Sequence, residues 1–196
     1  MELRDVCEVQ MGFSARERLE PVASGMHAIQ QGDITAEGTF NGFDDLRVPL
    51  GTGSNQHLVR LGDVLLRSRG TAVAAWAVSE DLRDAAIALS PLYILRPAPD
   101  RLHPGYLAWM LMRPAAQAHF ARESVGSNLK MIRRAAIESI PIELPPLDVQ
   151  HAVATAAELA RRELDLETRL AHLRNNLTAL RLDACAHPIH DDRTAE

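Results

Sequence analysis

The residues of this chain best suited to act on another molecule are its cations, which fall in two local runs. Arg122, Lys130, Arg133 and Arg134 stand against one acid, Glu123, and Arg60, Arg67 and Arg69 stand against Asp63. Such groups neutralise phosphates, and the arginine fork also matches the guanine edge. The acids gather elsewhere, at Asp44-Asp45, Glu80-Asp81 and Asp191-Asp192. A net charge of −5 opposes a polyanionic partner for the chain as a whole. A local basic face can still read nucleic acid, weakly alone and with help from a partner.

Other chemistry is sparse. Cys185, His187 and His190 lie close in sequence, but Pro188 breaks their segment and a closed zinc site needs four ligands. We expect a solvated tail, with no metal and no cofactor. Cys7 and Cys185 lie at opposite ends, so no disulfide framework is expected. Lys130 is the only lysine and follows Ser127-Asn128-Leu129, so the nuclease pattern of an acid two residues before a lysine is absent. There is no GxGxxG, P-loop, HExxH or GxSxG, and Gly51-Thr52-Gly53 is a flexible turn. Pro145-Pro146 lies between leucines, unlike the Pro-Pro-aromatic motif of methyltransferases. His57, His103, His119, His151 and His172 read as surface or capping residues. The chain is therefore expected not to be an enzyme.

The elements that would carry the cations come in two textures. Up to about residue 148, short apolar runs alternate with Gly, Pro and Asn. Strands are expected at Val6–Val9, Met26–Ile29, Val64–Leu66, Trp76–Val78 and Leu92–Leu95. Gly12-Phe13-Ser14 and Gly32-Asp33 end the first two, and Leu61-Gly62-Asp63 is a tight turn. Pro104 opens a helix bearing Tyr106, Leu107, Met110 and Leu111, and a second helix runs over 115–123. A polar loop, Gly126-Ser127-Asn128, follows, and Pro145-Pro146 forms a rigid elbow. The expected division is a domain over 1–146, a long helix over 147–184 with Asp148 near its start, and a polar tail over 185–196. No apolar run of membrane length and no signal-peptide start is seen, which implies the cytoplasm.

Within the helix, Leu166, Leu170, Leu173, Leu177, Leu180 and Ala184 keep a 4-3-4-3-4 spacing, the seam of a coiled coil. Backwards it meets Glu163, then Leu159, Ala156, Ala152 and Val149. An amphipathic helix packed on its own domain is the alternative, but that calls for a wider apolar stripe. Here Arg169, His172, Arg174 and Asn176 keep it narrow.

Several segments, in order, resemble the target-recognition domain of type I restriction–modification specificity subunits. Leu3–Val9 with Gly12-Phe13-Ser14 resembles that family's first strand and glycine turn, and Ile29–Ile34 its second segment. Leu61-Gly62-Asp63-Val64-Leu65-Leu66-Arg67-Ser68-Arg69-Gly70-Thr71 is the strongest internal match. Leu89–Leu95 and the helix from Pro104 follow, and Ile140–Gln150, with Pro145-Pro146-Leu147, resembles the hinge into the spacer helix. The resemblance implies an α+β fold: a mixed α/β target-recognition domain followed by a long coiled-coil helix.

It also implies a non-catalytic reader of double-stranded DNA that directs a DNA methyltransferase subunit, and in a cutting complex a restriction subunit, to its site. Family members usually carry two recognition domains and two long helices. With one of each, this chain is expected to form a homodimer through Leu159, Leu166, Leu170, Leu173, Leu177 and Leu180, reading an interrupted palindrome. The resemblance places recognition on loops. The candidates are Ser14, Arg16, Arg18, Gln30 and Gln31, then Arg67, Arg69 and Thr71, then Ser127, Asn128 and Lys130, with Arg133 and Arg134 holding phosphates. The acidic balance favours one alternative, an adaptor of the same fold that no longer reads DNA.

Overall fold

The computed structural model describes residues 1–14, 19, 21–43, 46–49, 55–70, 73–79, 82, 84–124 and 131–186. It divides the chain into two compact units, Met1–Ala156 and Ala157–Glu196.

The first unit is built around strand β4 (Val64–Arg67), which alternates between two cores. Val64 and Leu66 point into one apolar cluster and Leu65 into another, all fully buried. This period of two makes the strand the centre of a layered structure. It pairs antiparallel with β5 (Ala74–Ala77) and β7 (Leu92–Pro97), and β7 pairs antiparallel with β1 (Cys7–Met11). The sheet order is β1-β7-β4-β5. A second sheet, β3-β2-β6, joins β2 (Met26–Ile29) antiparallel to β3 (Arg47–Val48) and parallel to β6 (Ala86–Ala88).

One face of the large sheet, with Val9, Val64, Leu66, Ala75, Tyr93 and Leu95, packs on the helices. These are α1 (Pro104–Met112), α2 (Pro114–Glu123) and α3 (Arg134–Glu138). The other face, with Leu65, Trp76, Leu92 and Ile94, packs with Ile29, Ile34, Ala86 and Ala88. Each leucine taken fully out of water in these layers stabilises the fold by roughly 2 kcal/mol. The architecture is α+β, as expected, and it ends in α4 (Leu147–Ala186). Among the described residues no helix is long and apolar enough to cross a membrane.

Three turns of this unit use one device. The carboxylates of Asp5, Asp33 and Asp63 accept the backbone N–H three residues earlier, at Glu2 (2.9 Å), Gln30 (2.7 Å) and Arg60 (2.9 Å). Gly62 in the third has φ +90°, a conformation open to glycine. The buried Asp63 carboxylate also accepts from Arg96 Nε at 3.2 Å, and Arg96 donates to the carbonyls of Gln56 and Leu58. Burial raises the Asp63 pKa, and the Arg60 N–H and the Arg96 guanidinium oppose that rise.

The expected strands form, Met26–Ile29 with its expected ends and the others with ends shifted by at most two residues. Among the described strands and α-helices, three were not anticipated. β3 has two residues and β6 is Ala-Ile-Ala, a poor strand sequence alone, held by pairing with β2. α3 lies between the polar loop and the elbow, where no helix was expected. The segment after β2 is a short 3-10 turn over Gln31–Asp33.

Candidate nucleic-acid interface

Arg69 of one cationic run and the segment that carries Arg133 and Arg134 of the other meet beyond the end of β4. Beyond Arg67, the chain bridges to the segment before α3: Arg69 pairs antiparallel with Met131, and the Ile132 N–H donates to the Ser68 carbonyl at 2.9 Å. Ser68 is buried and its hydroxyl donates to the Pro91 carbonyl at 2.6 Å, which fixes this edge. Arg69, Arg133 and Arg134 are exposed there. Arg133 caps α3 in an extended conformation, and Arg134 pairs with Glu138 at 2.6 Å. Behind them the backbone N–H of Arg134 faces the hydroxyl of Tyr93, whose pKa burial pushes up. Arg122 is exposed on α2, and α2 is tied to α3 by a 2.9 Å hydrogen bond between His119 Nε2 and the Ala136 carbonyl.

Arg67 is placed differently. It is half-buried, and its guanidinium donates to the Ile34 carbonyl at 2.9 Å, joining β4 to the Gln30–Ile34 turn. Among the described residues its Nε is buried without a partner, as are Gln31 Oε1 and His27 Nδ1. Buried polar atoms without partners are uncommon in native folds, and two of these three belong to residues singled out as base readers.

Ser14 and Gln30 come together in a cleft of about 460 Å³ lined also by Phe13, Leu19, Pro21, Leu46, Leu89 and Ser90. Arg16, Arg18, Thr71, Ser127, Asn128 and Lys130 lie outside the described residues.

Two residues that sequence reasoning passed over stand near these groups. His27 is buried, stacks on Phe43 with ring centres 3.9 Å apart and pairs with Asp84 at 3.3 Å. Gln117 donates to the Val73 and Leu111 carbonyls and accepts the Val73 N–H, which anchors the start of β5 on α2. Neither carries a local signal, because both roles depend on partners distant in sequence. Cys7 offers no nucleophile: burial raises its pKa to about 12.

The elbow into α4 is locked by Gln150, which is 1% exposed. Its Oε1 accepts the His103 N–H at 2.8 Å, and its Nε2 donates to the carbonyls of Arg101 (3.0 Å) and Pro145 (2.8 Å). Gly105 lets α1 come close to α4, since a Cβ there would lie 3.0 Å from the Ala154 Cβ. His103 caps α1 by accepting the Tyr106 N–H, and its ring lies 4.0 Å from that of His151. Burial first, and His151 second, lower the His103 pKa.

In the second unit the seam leucines face solvent: Leu159, Leu166, Leu170, Leu173, Leu177 and Leu180 are 47–66% exposed. Arg161 and Arg162 pair with Glu158, and Arg169 with Asp165.

No protein-family model matches this chain, and no curated protein matches it. Solved structures do. A chain from a study of complex assembly and conformational transition of the type I R-M system matches with TM-score 0.65 and 20% identity, over 97% of this chain and 45% of that one. The HsdS subunit from Thermoanaerobacter tengcongensis matches with TM-score 0.57 and 20% identity, over 94% and 43%. The type I restriction-modification S subunit from M. genitalium matches with TM-score 0.57 and 14% identity, over 98% and 46%. This chain thus spans less than half the length of these neighbours, and its α+β fold is that of one half of a type I specificity subunit.

Proposed function

We propose that this chain is a DNA-recognition module of a type I restriction–modification complex. It reads a half-site through the Arg69–Arg133–Arg134 edge and the Ser14–Gln30 cleft, and it performs no chemistry itself. A DNA methyltransferase subunit, and in a cutting complex a restriction subunit, is the partner it directs. Two copies associate through the exposed leucine seam of α4, so the site read is an interrupted palindrome. The observation that carries the reading is the match over 94–98% of this chain to chains of type I systems about twice its length. The exposure of Arg69, Arg133 and Arg134 on adjoining segments supports it.

The test is purification of the tagged chain from its native cells, with identification of what accompanies it. A stoichiometric methyltransferase is expected, and a chain that purifies without one refutes the assignment. The net charge of −5 favours a second reading, an adaptor of the same fold. That reading requires that the assembled complex show no sequence preference and that substituting Arg69 change nothing.

A further inference from the structure

The cleft beside Gln30 is built on a different plan from the arginine edge. Its floor is the outer face of the second sheet, where Met26, Ala28, Val48 and Ile87 are buried. The residues packed over that face include Phe13, Leu19, Leu46 and Leu89, which are only partly covered and which line the cleft.

Three backbone segments run side by side at its inner end. β2 and β6 are parallel and end together at Ile29 and Ala88, so Gln30 and Leu89-Ser90 leave adjacent strand ends. The Leu89 N–H donates to the Ile29 carbonyl at 2.9 Å. Phe13 bridges to Leu89, with its N–H donating to the Ala88 carbonyl at 2.7 Å and its carbonyl accepting the Ser90 N–H at 2.9 Å. Gly12 permits this approach, since a Cβ there would lie 2.8 Å from the Ala88 carbonyl oxygen. The Phe13 ring meets the His57 ring edge to face, with centres 5.4 Å apart, and the Asp33 carboxylate holds the Gln30 N–H at 2.7 Å. The walls are thus fixed by the fold itself.

The lining narrows the occupant. None of the described residues around the cleft is charged, so it does not suit a phosphate or a metal ion. It offers the Phe13 ring, aliphatic walls, the hydroxyls of Ser14 and Ser90 and the Gln30 carboxamide. An aromatic face stacks on a base, and a carboxamide matches two adjoining hydrogen-bonding groups of adenine. The volume of about 460 Å³ falls in the range of small-ligand clefts, roughly 300–1,000 Å³. Base edges in a groove are read by side chains that project into it, whereas a recess takes a base that has left its stack. The arginine edge lies one turn away: the Ser68 hydroxyl donates to the carbonyl of Pro91, next to Ser90, and Arg69 follows Ser68.

We propose that the cleft takes one adenine out of the bound duplex, stacked on Phe13 and read by Gln30, a proposal that rests on the DNA-reading role given above. This adenine is distinct from the one the partner methylates, which must enter the methyltransferase's own site.

Amide proton–nitrogen correlation spectra of the full chain, titrated with each of the four deoxynucleosides, test the cleft alone. Deoxyadenosine is expected to give saturable shifts at Ser14, Gln30 and Ser90, and the other three to bind about ten-fold more weakly. No saturable shift at these residues with any nucleoside overturns the inference, and equal binding of all four overturns the choice of adenine. The assembled complex on a duplex of its recognised sequence then tests where the base comes from. An abasic nucleotide is placed opposite each adenine in turn, which removes the cost of unpairing it. Binding is expected to tighten about ten-fold at one adenine other than the methylated one, and Gln30→Leu, at an unchanged melting temperature, to lose that gain. Tightening at the methylated adenine alone overturns the inference, and deoxyadenosine that still binds then marks the cleft as a site for a free nucleoside. A gain that Gln30→Leu retains overturns it as well. Sequence-specific binding without the gain leaves the function proposed above standing, whereas a complex with no sequence preference overturns both.

Discussion

Substitution of Gln150 by alanine tests how the first unit holds the start of α4. The side chain makes three hydrogen bonds, one to the His103 N–H and two to the carbonyls of Arg101 and Pro145. Each is worth about 1 kcal/mol net, and a buried group left without a partner costs about 1–3 kcal/mol. Truncation empties a site that is 1% exposed and leaves three groups unmatched, so Gln150→Ala is expected to lose about 3 kcal/mol. For a unit of this size that is a fall in Tm of roughly 6–12 °C. Gln150→Glu is expected to be worse at neutral pH, because its carboxylate faces two carbonyl oxygens and offers no donor. Urea unfolding followed by circular dichroism reads both. A Gln150→Ala loss within about 0.5 kcal/mol of zero, the range of ordinary surface changes, refutes the hinge described above.

Further outcomes follow from the same geometry. His103 titrates below its ordinary value, so the folded unit binds that proton less readily than the unfolded chain does. Stability is complete above the unfolded value near 6.5 and falls as pH drops through it towards the folded value. His103→Asn keeps a capping acceptor and should flatten that part of the profile. An unchanged profile in the variant contradicts it. Arg69→Ala and Arg133→Ala should each weaken DNA binding by the assembled complex, and each phosphate left without its arginine should reduce the salt slope by about 1. Arg67→Ala should instead lower thermal stability, because its guanidinium holds the Ile34 carbonyl. Equal melting of Arg67→Ala and the parent counts against that role. Leu170→Glu with Leu173→Glu should abolish self-association while leaving the melting of the first unit unchanged. Unaltered assembly, by sedimentation, excludes the seam.

What the sequence reveals here is what is local. β4 is legible because its alternation and its Gly-Asp turn lie within a few residues, and α4 because its leucines keep one spacing over several heptads. β6 is not, since alanines favour a strand only when a neighbour supplies the ladder, as His27–Ile29 does. The cations were identifiable by type, but their arrangement was not. That Arg69 meets Met131, while Arg67 turns towards Ile34, depends on how the sheets pack. Gln150 stood in a hinge segment noted for its prolines. Its glutamine matters because Arg101 and His103 come within its reach, which the spacing along the chain does not reveal.

The central claim, that this chain directs methylation to a DNA sequence, is tested most directly by mapping adenine methylation across the genome of its native cells with and without the gene. The account predicts that one interrupted palindromic motif, methylated in the parent, loses its methylation in the deletion and regains it on complementation. A methylation map unchanged by the deletion, in parent cells that make the chain together with its methyltransferase, contradicts the account.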